Sequence, residues 1–120
     1  PEIFVPRKRV DMRLDLGLVS GELVAALRGF EPHGLGNPSP LFAAAGTRVA
    51  VQRAFGKEGS HLRLVLNGGI EGVFWRGAAS FAAGRWGSLE DADVIFEVEW
   101  DAYRNKPALV VKDVGRFFER

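Results

Sequence analysis

The 120-residue chain has no cysteine, one methionine, one tyrosine and two histidines. Without thiols it can build neither a disulfide scaffold nor a thiolate metal site, which fits a reducing compartment. Its longest apolar runs, residues 41–45 among them, are five residues. A membrane helix needs about 20, so no spanning segment is expected. No apolar stretch follows Arg7, Lys8 and Arg9, so the basic start does not read as a signal peptide. The net charge is only +1, and bulk charge therefore points to no partner. What is present is 47% hydrophobic and 26% charged, the balance of one soluble globular domain with a core of its own. The sequence opens on Pro1 and holds its one methionine at Met12, and we expect a piece of a longer protein.

Charge is unevenly spread. Arg48, Arg53, Lys57, Arg63, Arg76 and Arg85 face only Glu58 and Glu71 in the same segment, a local charge of +4. Glu90, Asp91, Asp93, Glu97, Glu99 and Asp101 then follow without a base. A fold that keeps these stretches apart carries one positive and one negative face.

Hydrophobic spacing gives the elements. Residues 1–16 alternate in parts and read as extended. Ser20 is placed to cap a short helix with Leu23, Ala26 and Leu27 on one face, and Gly29 to stop it. Three prolines and two glycines within residues 30–40 exclude helix and central strand there. From Thr47 the pattern turns to β. Residues 47–55 put Val49 and Val51 on one face. Residues 61–66 put Leu62, Leu64 and Leu66 on one face and His61, Arg63 and Val65 on the other. Asn67-Gly68-Gly69 marks a hairpin into a strand at 70–75. Residues 77–87 read as a short helix or irregular connection. Strands at 93–100 and 108–114 follow, with Val94, Phe96, Val98 and Trp100 in phase. The fold class is thus mainly β, a five-stranded OB-type barrel with an N-terminal extended arm and a short helix. An SH3-like barrel or a half-open sandwich fits the same strand count.

The run Glu31-Pro32-His33-Gly34-Leu35-Gly36-Asn37-Pro38-Ser39-Pro40-Leu41-Phe42 resembles the signature loop of the C-terminal OB-fold region of RecJ, the bacterial single-strand-specific exonuclease family. His33 stands where that family has Phe. His61-Leu62-Arg63-Leu64, residues 70–77, residues 93–103 and Lys112-Asp113-Val114 are similar to its strands in order and spacing, and residues 13–27 to its preceding helix. Asp101 stands where Asn is frequent. The resemblance covers residues 13–116. It implies a module of a 5'-3' single-strand-specific exonuclease in DNA repair and recombination. It also implies manganese or magnesium in a catalytic core absent from this sequence, and a cytoplasmic location. The chain has no Asp-His-His run, so it is not expected to be the nuclease itself, and no cofactor or catalytic residue is expected within it. The expected organisation is arm and helix at 1–29, structural loop at 30–46, barrel at 47–116 and tail at 117–120.

The candidate residues follow from the strands and the resemblance together. His33 is expected to fill space in the loop, and neither His33 nor His61 is read as a metal ligand, since no second histidine is near either of them in sequence. Gly34-Leu35-Gly36-Asn37 follows a helix instead of preceding one and reads as a corner, not a phosphate cradle. At residues 70–75 both alternations are apolar. The family pattern puts Trp75 inside and Phe74 outside, where a base could stack. Phe74 then joins Arg53, Lys57, His61, Arg63, Arg76, Tyr103, Arg104 and Lys106 as the expected nucleic-acid contacts. Asp93, Glu97 and Glu99 would form an acidic edge off that path. The expected partners are single-stranded DNA, the catalytic domains of the same polypeptide and another repair protein, with no membrane. Two other readings stay open at this point: an interdomain scaffold or protein-docking module, and an OB-like RNA binder.

Overall fold

A computed structural model describes residues 10–28 and 40–119. The expectations for residues 1–9, for Gly29 and for the signature loop at 30–39, His33 included, lie outside the described residues. The strands are β1 (Met12–Arg13), β2 (Phe42–Thr47), β3 (Val49–Phe55), β4 (His61–Leu66), β5 (Ile70–Phe74), β6 (Ala92–Asp101) and β7 (Lys106–Gly115). The helices are α1 (Gly21–Arg28) and α2 (Ala78–Ala82). All seven strands join one sheet in the order β1-β2-β6-β7-β5-β4-β3.

The chain is mainly β with short helices, as expected, but the five-stranded closed barrel is corrected to an open seven-stranded sheet. The strand count differs for two reasons. Met12–Arg13 adds a short parallel strand to β2. The strand expected from Thr47 starts at Val49 and is preceded by another: residues 42–46, expected within the loop, join Thr47 to form β2. Only Arg48 separates β2 from β3. β2 pairs with β6 and β3 pairs with β4, so consecutive pieces of chain serve opposite sides of the sheet. The ladder is open, yet the backbone ties its two sides together. At this junction the Arg48 N–H donates to Asn67 Oδ1 at 2.9 Å, and the Asn67 N–H donates to the Arg48 carbonyl at 2.8 Å.

Period-two alternation builds the core. Leu62, Leu64 and Leu66 of β4 face Val49, Phe74, Leu109, Val111, Val94 and Phe96. β5 alternates with Gly72 and Phe74 inward. The ring of Phe74 stacks on Trp86 with centroids 5.7 Å apart and planes 11° apart. Trp86 is anchored by its Nε1–H, which donates to Ser80 Oγ at 2.9 Å. The turn and helix of residues 77–87 thus close one end of the core, and Gly77 is required there. A Cβ on it would stand 2.4 Å from Phe74 Cγ.

Two helical and acidic positions differ from expectation. Ser20 Oγ does accept the Leu23 N–H at 3.1 Å as an N-cap. The packed face of α1 is Leu23, Val24 and Leu27, with Ala26 exposed, since the helix lies with Gly21 near Trp100. Asp93, expected on an exposed acidic edge, is fully buried. Its Oδ2 accepts the N–H groups of Phe117 at 2.7 Å and Phe118 at 2.8 Å. The folded-back C-terminal segment covers a second small core of Ala43, Ile95 and Phe118, with Arg13 lying 4.2 Å above the Phe118 ring.

Candidate nucleic-acid interface

Two local irregularities decide which side chains share the outer face of β3, β4 and β5. The first is a bulge in β3. Val51 is paired with Leu64, but the next pair is Arg53 with Arg63, so Gln52 is an extra residue. The bulge shifts the phase of β3. Val49 and Val51 face the core, whereas Arg53 and Phe55 emerge on the outer face opposite Arg63 and His61. The second is the orientation of β5. Pairing Leu62 with Phe74 puts Phe74 in the core at 8% exposure and leaves Trp75 outside at 53%.

This reverses the expectation for the two rings. Phe74 is no surface platform, because Trp86 and residues 77–87 cover it. Trp75 stands where Phe74 was expected. Its ring meets His61 edge-on at 5.0 Å and Phe55 edge-on at 5.7 Å, and Phe55 lies 5.5 Å from His61. Three rings from three strands or their ends therefore form one cluster with Trp75 its open member.

The turns hold the cluster in place. Gly56 has φ 82° and ψ −179°, a region open to glycine alone. The imidazole of His61 lies directly against it, and a Cβ there would stand 2.4 Å from His61 Cδ2. On the opposite side the backbone N–H of Arg76 donates to His61 Nδ1 at 2.9 Å. Arg76 itself has φ 60° and an exposed side chain.

Beside the rings runs a row set by register: Arg53, Arg63, Val73, Val110 and Glu97. It is basic at the β3 end and acidic at the β6 end. The Arg53 guanidinium lies 5.4 Å and that of Arg63 6.0 Å from the Phe55 ring centroid. Lys57 is exposed in the turn from β3 to β4. Nε of Arg63 is buried and has no hydrogen-bond partner among the described residues.

Sequence reasoning counted Glu71 only as a charge. It is the centre of a cluster. Its carboxylate accepts from Arg104, accepts from Lys106 Nζ at 3.0 Å, and lies 3.7 Å from Arg63. The Lys106 hydrogen bond above all, with the charges of Arg104 and Arg63, holds its carboxyl below the usual carboxylate range against the opposing effect of burial. Arg104 and Lys106, expected to be free for phosphate, are thus tied down. Tyr103 projects from the same β6–β7 turn at 97% exposure, and Asp101 Oδ1 accepts the N–H groups of Tyr103 and Arg104 to shape that turn. Glu99, next to Glu97 and Asp101, is shifted the other way. Desolvation, then repulsion by those two carboxylates, raises its pKa.

Among the described residues no group of three or more His, Asp or Glu could hold a metal ion. Nor is any described helix long and apolar enough to cross a membrane. What the outer face offers is π-surface beside guanidinium groups, on a rigid sheet.

The RecJ OB domain matches residues 10–113, nearly the whole described structure. The chain belongs to the RecJ OB-domain family. Within this RecJ OB domain the match begins ahead of β1 and runs into β7, so the β1–α1 segment and the β2–β3 junction fall inside it. No curated protein matches the chain.

Proposed function

We propose that this RecJ OB domain is the single-stranded-DNA-binding module of a 5'-3' exonuclease of DNA repair and recombination. It would work in the cytoplasm and pass substrate to a catalytic core outside this sequence. The observation that carries the reading is the open ring of Trp75, backed by His61 and Phe55, with Arg53 and Arg63 in the adjoining row. Successive bases stack on aromatic faces while cations track the backbone, and this combination suits a flexible strand whose bases are unpaired. A duplex hides its π-faces and would use only the cations. The acidic end of the row, Glu97, repels phosphate, which directs the strand along β3, β4 and the end of β5. His61, Lys57 and Arg76 flank that path. Manganese or magnesium chemistry is assigned in this reading to that catalytic core.

The test is a titration of labelled oligothymidine, duplex DNA and single-stranded RNA at several salt concentrations. The reading expects oligothymidine to bind best, with a salt slope of about 0.7 per phosphate contacted. Tighter RNA binding would favour an RNA module. No binding to any of the three would favour a scaffold that docks another protein.

A further inference from the structure

One carboxylate on the outer face is shared by three cations from three different elements. Arg63 comes from β4, Arg104 from the β6–β7 turn and Lys106 from the start of β7, and all converge on Glu71 of β5. We propose that Glu71 is a built-in substitute for a backbone phosphate: it keeps Arg104 and Lys106 out of the DNA path and leaves Arg63 as the cation that a real phosphate takes over. The inference rests on the reading of this face as the single-strand interface.

The chemistry of exchange is that of like acceptors. A carboxylate and a phosphate both offer paired oxyanions to guanidinium and ammonium donors. The three cations are not held equally. Arg104 and Lys106 make direct hydrogen bonds to the two carboxylate oxygens. Arg63 stands 3.7 Å away, beyond hydrogen-bond length, and its buried Nε has no partner among the described residues. Arg63 also sits opposite Arg53, which has no ion pair with an acid among the described residues. Like charges directly opposite each other destabilise a strand pair. An anion between Arg53 and Arg63 relieves that repulsion and offers the Arg63 guanidinium an acceptor at hydrogen-bond length, which Glu71 at 3.7 Å does not. Arg104 and Lys106 gain nothing comparable by leaving Glu71.

Glu71→Gln removes the competing charge and keeps the shape. It frees Arg104 and Lys106, and two more phosphate contacts should steepen the salt slope by about 1.4. At about 0.1 M salt each such contact is worth roughly fivefold, so affinity for labelled oligothymidine should rise by up to about 25-fold. Glu97→Gln makes the same change in net charge at the acidic end of the row and should raise affinity far less. Folding of each variant is checked by thermal melting. If Glu71→Gln does not fold, the double variant Arg104→Gln with Lys106→Gln tests the same point with Glu71 in place. It should leave the slope unchanged, whereas a fall of about 1.4 overturns the proposal.

The outcomes separate the inference from the reading beneath it. A native chain that binds, with Glu71→Gln unchanged or weaker, overturns the substitute role and leaves the DNA-binding reading standing. An equal gain from Glu97→Gln overturns it too, since the effect is then one of bulk charge. If only Glu71→Gln binds, the native domain is not a DNA binder, and the substitute role falls with that reading. Binding by neither overturns both.

Discussion

The two faces of the β4–β5 hairpin are built from the same short stretch of chain and do opposite work. The inner face carries Leu62, Leu64, Leu66 and Phe74, all buried against Trp86 and the strands across the core. The outer face carries His61, Arg63, Glu71 and the end residue Trp75, where rings and charges stay within reach of solvent. Adjacent residues thus divide between the core and the face proposed for recognition. Phe74 and Trp75 are both large aromatics, and only the pleat separates their roles. Side-chain type alone therefore says little about function in this sheet, and phase says much.

Substitutions can break that division. The largest effect is expected from Phe74→Ala, which removes a ring packed on Trp86 and should cost about 3–5 kcal/mol in denaturant unfolding. The fraction still folded should bind oligothymidine with unchanged affinity. Next comes Gly56→Ala. It forces a side chain into a glycine-only conformation and against the His61 ring, and a loss of about 1–3 kcal/mol is expected. Trp75→Ala should be the mirror image of Phe74→Ala. Stability should change by less than about 0.5 kcal/mol, while oligothymidine binding weakens by about 1–3 kcal/mol with little change in salt slope. If Trp75→Ala unfolds the chain and Phe74→Ala does not, the two faces have been assigned the wrong way round.

The smallest effect concerns pH. Glu71 has a folded pKa below its usual 4.5, so the charged form is favoured by folding. That contribution is present above pH 4.5 and is lost as pH falls from there through the folded value. Glu99 has the opposite sign. Its raised value means that the proton is held more tightly in the folded state, so stability falls as pH rises from 4.5 through that value. Melting curves across the acid range should show Glu71→Gln with a shallower acid loss than the native chain, and Glu99→Gln with a smaller loss on leaving it.

How much of this was legible depended on whether the local pattern was single-valued. β4 could be read outright, because Leu62, Leu64 and Leu66 alternate with His61 and Arg63 and a hairpin signal follows. β5 could not, because Gly72 with Phe74 and Val73 with Trp75 are both apolar alternations. What chooses between them is Trp86, twelve residues after Phe74, which no periodicity within the strand reports. The β3 bulge was equally hidden. Nothing at Gln52 marks it, and without it Phe55 counts into the core face with Val49 and Val51. Asp93 looked like one acid in an acidic run, yet it is buried because the chain returns to it 24 residues later. Glu71 gathers partners from as far as 35 residues along the chain, and its role exists only once the β6–β7 turn lies beside β5. Charge segregation along the sequence became a gradient across one face of the sheet, from Arg53 to Glu97, and not the separate positive and negative faces expected.

The bond between the Arg76 N–H and His61 Nδ1 fixes more than a ring position. A backbone N–H can only donate, so Nδ1 must present its lone pair, and in the neutral ring the proton resides on Nε2. The imidazole therefore has one spare hydrogen-bonding valence, and it is a donor. A ligand group that meets His61 through that atom has to bring an acceptor, such as a phosphate or base carbonyl oxygen, and an amino group is turned away. The main chain of one turn has in this way selected the polarity of a side chain on the neighbouring strand.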